Sequence, residues 1–318
     1  MLTPCHHYIS SPPECKYFLR SSDPIPHASG VSLLRAAHVP SIRCPRRNTG
    51  FAVAIRWGLR YNQGESGVTA GMALYAIGDL HLHFQSECKA PMQRTERVWR
   101  NHEEVFLRNC RNLLTQEDTL VLLGDHSWGK NLAQCEQDLA YIAALPGRKI
   151  LLRGNHDMFW DARKTRQLNE RFEGRLSFLQ NNFYPYGDFA LVGTKGYTFE
   201  GPFYLDRRGR LTGWDREAAD HAERLVAREV DRLRASFEAA KAAGFEKFIM
   251  FLHYPPTNIL QKQSAFTDMA EAYGARQVIY AHCHGESRFH DSIQGRLNGI
   301  DYKLVSGDFL RWMPEKIL

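Results

Sequence analysis

From residue 72 onward, short apolar runs alternate with longer stretches in which apolar residues recur at helical spacing. The apolar runs predict buried strands at residues 73–77, 120–123, 149–152, 189–192, 248–252 and 277–281. The stretches between them predict helices at residues 96–114, 131–145, 159–172 and 215–243. Strands that alternate with helices indicate an α/β fold with a largely parallel sheet and helices on both of its faces. The segment 295–309 predicts antiparallel strands with turns.

Residues 1–71 lack this pattern. They hold seven of the fourteen prolines and show no sustained helical or strand period. This composition predicts a disordered or non-native extension at 1–71 and a folded domain at 72–318. Three interpretations of the extension stay open: a disordered arm, a transit segment rich in Arg and Ser, and a start codon assigned too far upstream. The third is favoured because Met72 falls directly before the first predicted strand.

The net charge of +6 belongs mostly to this extension, which carries eight basic and three acidic residues. The other residues carry 33 basic and 32 acidic groups, so they give no reason to expect a nucleic-acid surface. Apolar runs are too short to predict a membrane span. The seven cysteines are irregularly spaced and include no Cys-x-x-Cys pair. We therefore expect a reducing compartment and a cytoplasmic location.

Polar residues suited to metal binding follow five of the predicted strands. They are Asp79-Leu80-His81, Gly124-Asp125, Gly154-Asn155-His156-Asp157, His253, and His282-Cys283-His284. In layered α/β proteins, loops converge at the carboxyl edge of the sheet, and ligands bind there. Residues two apart in extended chain point to one side, so each Asp-x-His or His-x-His pair can reach one ion. Cys283 is then expected to point away and to pack in the interior.

Each of these motifs also has a plain structural explanation when it is taken alone. A strand-end Asp can cap a helix, a polar turn can contain Asn and His, and a single His is more often a hydrogen-bonded structural residue. Five such motifs in order, each at a strand end, favour a shared metal site instead. His156 could then donate a proton, and Asp157 could hold its ring in one tautomer.

These motifs, in this order, resemble the calcineurin-like metallophosphoesterase family over about residues 72–310. The resemblance is closest to bacterial predicted phosphohydrolases whose second motif continues as Ser-Trp-Gly, here residues 127–129. It implies a four-layer α/β fold with central β-sheets flanked by helices. It also implies two divalent metal ions, Mn, Fe or Zn, and hydrolysis of a phosphomonoester or phosphodiester.

The resemblance further implies how the metals are held. One ion would take Asp79, His81, Asp125 and His284, and the other would take Asp125, Asn155, His253 and His282, so that Asp125 bridges the pair. A hydroxide shared by the metals would attack phosphorus. His156, oriented by Asp157, would protonate the leaving oxygen or stabilise the transition state.

The sequence departs from the family pattern at two positions. Ala281 replaces a glycine, which matters only if the backbone there needs a positive φ. His126 replaces an apolar residue and is expected to be either a supporting partner or an extra ligand. Gly129 stands where protein Ser/Thr phosphatases have an arginine, which argues against a protein phosphatase.

The expected partner is a small phosphorylated substrate, with no membrane and no nucleic acid. Residues 196–214 predict either a substrate flap or a solvated loop, and the flap would use Arg207, Arg208 and Arg210 on phosphate oxygens. Trp128 and Lys130 are expected to line the cleft. A non-catalytic scaffold and a nuclease of the same fold are the competing functions. The natural substrate, the native metals and the oligomeric state stay open.

Overall fold

The computed structural model of the chain describes residues 72–86, 93, 96–197, 203–205, 211–214, 216–259 and 261–318. The predicted extension at 1–71 lies outside these residues, as does the arginine-bearing part of the predicted flap, 206–210.

The first sheet has the strand order β13-β1-β2-β3-β4. Its parallel strands are β1 (Leu74–Ile77), β2 (Thr119–Leu123), β3 (Arg148–Leu152) and β4 (Ser177–Leu179), and β13 (Glu315–Lys316) pairs antiparallel with β1. Three helices follow these strands in the chain: α1 (His102–Leu113), α2 (Glu136–Ala143) and α3 (Thr165–Arg171). Phe106, Leu139 and Leu168 of these helices share one buried cluster with Leu122 and Leu151 of the sheet. The helices therefore cover one face of the first sheet.

The second sheet has the order β11-β12-β10-β9-β6-β5. Its members are β5 (Phe183–Tyr186), β6 (Phe189–Thr194), β9 (Lys247–Leu252), β10 (Ala275–Tyr280), β11 (Gly295–Leu297) and β12 (Ile300–Leu304). The four inner strands run parallel, and both edge strands pair antiparallel. Phe237 of α4 (Arg216–Ala242) and Phe266 of α5 (Ala265–Ala272) pack with Met250 and Val278 of the sheet. A short helix, α6 (Glu286–Asp291), follows β10. A separate two-stranded sheet joins β7 (Phe203–Leu205) and β8 (Leu211–Trp214).

The inner faces of the two large sheets pack against each other. Val121 and Leu152 of the first sheet share a buried cluster with Ile249, Phe251 and Ile279 of the second. The central strands are thus buried on both faces, which is why they consist of apolar runs without alternation. The layers are helices, sheet, sheet and helices, which confirms the four-layer α/β fold. The simpler expectation of one sheet with helices on both faces is wrong.

Several predicted helices begin later than expected. A 3-10 turn (Arg97–Trp99) and the left-handed backbone of Asn101 precede α1. A second 3-10 turn (Ala162–Lys164), whose start is capped by the Asp161 side chain, precedes α3. None of the helices in the described residues is both long enough and apolar enough to cross a membrane.

Candidate metal centre

The predicted ligands lie at the carboxyl ends of parallel strands from both sheets. Asp79, Asp125 and Asn155 follow β1, β2 and β3, whereas His253 and His282 follow β9 and β10. The sheets are stacked, so these strand ends meet on one side of the molecule. All seven predicted ligands are brought together there, although their role as ligands stays a prediction.

The backbone at this edge is in the left-handed region. Asp79, His81, Asp125 and His282 have φ values of 62°, 45°, 52° and 71°. Residues other than glycine rarely adopt this region, at a cost of about 1–2 kcal/mol each. The chain therefore turns sharply at the strand ends and directs these four side chains over the edge of the sheet. Backbone strain of this kind is concentrated at functional sites.

Gly124 makes room for the turn at Asp125. Its φ is 86°, and a Cβ there would lie 2.6 Å from the Gly154 Cα and 2.6 Å from the His253 Nδ1. The strand ends of β2, β3 and β9 can approach this closely only because the residue has no side chain.

Asp79, His81 and His284 form the first cluster of possible ligands, with one ligand atom from each lying within 4.8 Å of the others. The Nε2 atoms of His81 and His284 are 3.3 Å apart. The Oδ1 atom of Asp79 is buried and has no hydrogen-bond partner among the described residues. A buried carboxylate oxygen without a donor indicates that a cation completes its environment.

Asp125, His253 and His282 form the second cluster. The Nδ1 atom of His253 lies 2.8 Å from the Leu123 carbonyl oxygen, which can only accept a hydrogen bond, so Nδ1 carries the proton. In a neutral ring, Nε2 then has a lone pair. It faces two acceptors, Asn155 Oδ1 at 2.7 Å and Asp125 Oδ2 at 3.4 Å, and it also lies 3.1 Å from His282 Nδ1. Acceptors that converge in this way require a proton or a metal ion between them.

Asp125 lies between the two clusters. Its Oδ2 atom is 3.4 Å from His253 Nε2 in the second cluster and 3.7 Å from His81 Nε2 in the first. The other oxygen, Oδ1, accepts the His156 backbone N–H at 2.8 Å. This is the arrangement expected of a carboxylate that bridges two cations.

The pKa values in the first cluster reflect burial and the neighbouring charges. Burial holds the pKa of His81 well below its ordinary value, which keeps the ring neutral and its lone pair available. Burial raises the pKa of Asp79 to about 6, against the attraction of His284. For His284, burial alone would lower the pKa, but the carboxylates of Asp79 and Asp308 outweigh it and raise the pKa to about 9.

The second cluster shows the same competition. Burial disfavours the charged forms of both His253 and Asp125. Their mutual attraction outweighs it, so the pKa of His253 is raised and the pKa of Asp125 is held well below its ordinary value. A positive charge on the His253 ring is therefore favoured at the point where the acceptors of the second cluster converge. Both clusters combine Asp and His side chains, and such a donor set suits Mn, Fe or Zn better than Ca.

Asp308, which was not predicted, orients His284. One carboxylate oxygen lies 3.1 Å from the His284 Nδ1, and the other accepts the Gly285 N–H at 3.3 Å. A carboxylate on one ring nitrogen fixes the tautomer, so that the other nitrogen has a lone pair directed at the first cluster. The sequence does contain a signal for this residue, because Gly307-Asp308 repeats the Gly-Asp pattern of Gly124-Asp125.

Asp157 does not orient His156 as predicted. Its carboxylate accepts three backbone N–H groups instead, from Gly154 at 2.7 Å, His126 at 2.8 Å and Asp125 at 3.0 Å. A fully buried carboxylate needs such donors, and amides from two loops provide them. Asp157 therefore ties the loop after β2 to the loop after β3.

His156 lies beside the first cluster. Its ring centroid is 5.6 Å from that of His81 and 4.3 Å from the nearer ring of Trp128. No hydrogen bond to its ring comes from the part of the chain that the structure describes. The ring is thus positioned by packing against Trp128, and both of its nitrogens are free to meet a substrate.

Trp128 is held in place by a ring stack and a hydrogen bond. It stacks on His81 with ring centroids 4.9 Å apart, and its indole N–H donates to Gln93 Oε1 at 2.8 Å. Gln93 in turn donates to the His81 carbonyl oxygen at 2.9 Å. Lys130 is exposed, and Arg207, Arg208 and Arg210 lie outside the described residues. The predicted contacts of all four with substrate stay predictions.

The two departures from the family pattern have structural explanations. His126 is fully buried, and its Nε2 lies 2.9 Å from the Leu152 carbonyl oxygen, so it supports the strand end and joins neither cluster. Ala281 does not have a positive φ, so its methyl group causes no backbone strain. Cys283 packs in the core of the second sheet, as predicted.

A family profile described as calcineurin-like phosphoesterase matches residues 72–286. No functionally curated protein matches the chain.

Similar solved structures include a phosphopantetheinyl hydrolase from Mycobacterium tuberculosis, with 16% identity, a TM-score of 0.48, and coverage of 78% of this chain and 96% of that one. A protein of unknown function from Aquifex aeolicus has 17% identity, a TM-score of 0.36, and coverage of 77% and 95%. A protein from Thermus thermophilus has 9% identity, a TM-score of 0.44, and coverage of 77% and 97%.

Proposed function

Because the chain belongs to the calcineurin-like phosphoesterase family, we propose that it is a two-metal phosphoesterase that hydrolyses a small phosphorylated molecule. The observation that carries this proposal is the pair of ligand clusters that share Asp125. Metal dependence follows from the family, and the shared carboxylate supports two ions rather than one. When bound, two divalent ions would neutralise charge on phosphoryl oxygens and acidify a coordinated water.

The residues of the chain would hold the two ions and act on the substrate. Asp79, His81 and His284 would hold one ion, and Asn155, His253 and His282 would hold the other, with Asp125 between them. The His156 ring would hydrogen-bond a phosphoryl oxygen or protonate the leaving oxygen. General acid catalysis of this kind contributes about 10²–10⁴-fold. Asp157 would act on both His156 and Asp125 indirectly, because it fixes the two loops that carry them.

The competing functions have less support. A non-catalytic scaffold does not explain why seven candidate ligands converge, or why the His253 ring faces the oxygen acceptors of Asn155 and Asp125. A nuclease acting on long polymers needs many phosphate contacts, and the body of the chain is nearly neutral. We therefore favour a small phosphomonoester or phosphodiester. The cytoplasmic location stays a prediction.

The test is hydrolysis of p-nitrophenyl phosphate and bis-p-nitrophenyl phosphate by the full chain after metal analysis and loading with Mn, Fe or Zn. We expect metal-dependent turnover that falls at least about 100-fold in His156→Gln and Asp125→Asn. The matched controls are His290→Gln and Asp301→Asn, because both residues are exposed. Full activity in Asp125→Asn, or turnover unaffected by complete removal of metals, would refute the proposal.

A further inference from the structure

Lys195 is a buried cation next to the second ligand cluster. It directly follows β6, and only 7% of its surface is exposed. Its carbonyl oxygen accepts the backbone N–H groups of His253 at 3.1 Å and Tyr254 at 3.0 Å. The position of Lys195 is therefore fixed to the strand end that carries a predicted ligand.

Two tyrosine rings frame the ammonium group. The Nζ atom is 4.8 Å from the ring centroid of Tyr254 and 5.0 Å from that of Tyr197. The Tyr254 ring also packs on His282, with centroids 4.2 Å apart. Tyr254 thus contacts both the ammonium group and the metal-binding cluster, which places the cation one aromatic ring away from the cluster.

Among the described residues, no carboxylate neutralises this ammonium group, because none places an acidic oxygen within ion-pair distance of Nζ. Glu229, the buried acid nearby, is already engaged: it accepts the Thr194 hydroxyl at 2.7 Å and forms an ion pair with Arg232. The two tyrosine faces attract the cation through their ring quadrupoles but carry no net negative charge. Burial of an ion without a counter-charge is unfavourable, so an anion beside Nζ would stabilise this largely buried cation.

We propose that Lys195, between Tyr197 and Tyr254, binds a second phosphoryl group of the substrate, beyond the one that is hydrolysed. This rests on the proposed function and narrows the substrate class to molecules with two neighbouring phosphoryl groups. A phosphoryl group brings two or more negative charges to this largely buried cation, and hydrogen bonds between ionised groups are stronger than those between neutral groups. The tyrosine faces cover part of the ammonium group, and no hydrogen bond to the described residues uses its N–H groups.

The experiment measures binding of non-hydrolysable anions by calorimetry, on the full chain loaded with Mn. The first probe, methylenediphosphonate, carries two phosphoryl groups, and the second, orthophosphate, carries one. The third, phosphonoacetate, carries one phosphoryl group and one carboxylate. We expect wild type to prefer methylenediphosphonate over orthophosphate. In Lys195→Met this preference should fall about 10–100-fold. Lys195→Arg should restore most of it.

Lys247→Met is the matched control, because Lys247 lies on β9 but is exposed and pairs with Asp188. Metal content is measured for every variant, since diphosphonates bind metal ions. An unchanged preference in Lys195→Met, or equal losses for both anions, would overturn the proposal. If Lys195→Met does not fold, Lys195→Gln gives the same comparison. Preference for phosphonoacetate over methylenediphosphonate would also overturn it, since the site would then select a carboxylate.

The binding and turnover measurements distinguish failure of the second phosphoryl site from failure of the proposed function. A wild-type protein that binds methylenediphosphonate through Lys195 but hydrolyses neither nitrophenyl ester contradicts the proposed function alone. Hydrolysis with no Lys195-dependent preference contradicts only the second phosphoryl site.

Discussion

The Asp308→Asn variant tests the role of the carboxylate that holds His284. Asp308 is 5% exposed, and its oxygen lies 3.1 Å from the His284 Nδ1. Asparagine keeps the size and an acceptor oxygen but removes the negative charge. The variant therefore changes the electrostatics of the ligand while leaving its hydrogen bond available.

The substitution has two effects on metal affinity, of opposite sign, and the first depends on the pKa of His284, which is raised to about 9. In the metal-free protein this ring holds a proton at neutral pH, and a metal must displace it. Apparent affinity therefore falls about tenfold for each pH unit below the pKa. Asp308→Asn lowers the pKa and so reduces this competition. It also removes the negative charge that increases the basicity of the His284 ring, which costs about 10–100-fold in affinity, or roughly 1.4–2.7 kcal/mol.

The effects oppose each other near neutral pH, and only the second persists above the pKa of His284. We expect the affinity of Asp308→Asn for Mn to be close to that of wild type at neutral pH. At about pH 9.5, where the proton no longer competes, the deficit should reach about 10–100-fold. The assay is competition with a fluorescent chelator at both pH values, and Asp301→Asn on β12 is the exposed control. A deficit that is equal at both pH values, or absent at the higher one, refutes the reasoning.

Three further predictions concern stability, measured by denaturant unfolding of the metal-free protein. Gly124→Ala places a methyl group 2.6 Å from the Gly154 Cα at a φ of 86°, so it should lower the free energy of unfolding by more than about 3 kcal/mol. The control, Gly244→Ala, has a φ of 90° but open space around it and should lower the free energy of unfolding by about 1 kcal/mol. Asp157→Ala leaves three backbone amides without their acceptor and should lower the free energy of unfolding by about 3 kcal/mol or more. Ser264→Ala removes the capping box of α5 and should cost about 1 kcal/mol.

Each of these has a result that would contradict it. Equal costs for the two glycine variants would mean that the crowding at Gly124 is relieved by small shifts. A cost below about 1 kcal/mol for Asp157→Ala would mean that water replaces the carboxylate as acceptor. No measurable loss in Ser264→Ala would mean that Thr267 or water caps α5 equally well.

The apolar runs could predict the central strands because parallel strands buried on both faces need apolar residues at every position. They could not predict that the strands form two sheets, since a run reports burial and not the neighbour that buries it. The strands β4 and β13 have three and two residues, too few for any period to show.

The convergence of the candidate ligands could be predicted because one topological rule applies to all of them: polar residues at the carboxyl ends of parallel strands converge. Asp308 satisfies the same rule, but it follows β12, in a segment interpreted as antiparallel. The structure shows that β12 pairs antiparallel with β11 and parallel with β10. Lys195 could not be predicted in this way, since its environment depends on Tyr254, which is distant in the chain.

The partners of Asp157 could not be predicted for a related reason. Sequence proximity suggested His156, its neighbour in the chain. The structure supplies two amides from residues 31 and 32 positions away, together with one from its own loop. Hydrogen bonding of a buried carboxylate is decided by which donors the fold delivers to it.

The left-handed backbone at Asp79, His81, Asp125 and His282 has a consequence for engineering this protein. Glycine would relieve the torsional cost at each of these positions, so redesign guided by stability alone favours the replacements that erase the ligands. A thermostable variant of this chain therefore has to be selected with metal retention as a second criterion, and its gains sought away from the carboxyl edge of the sheets.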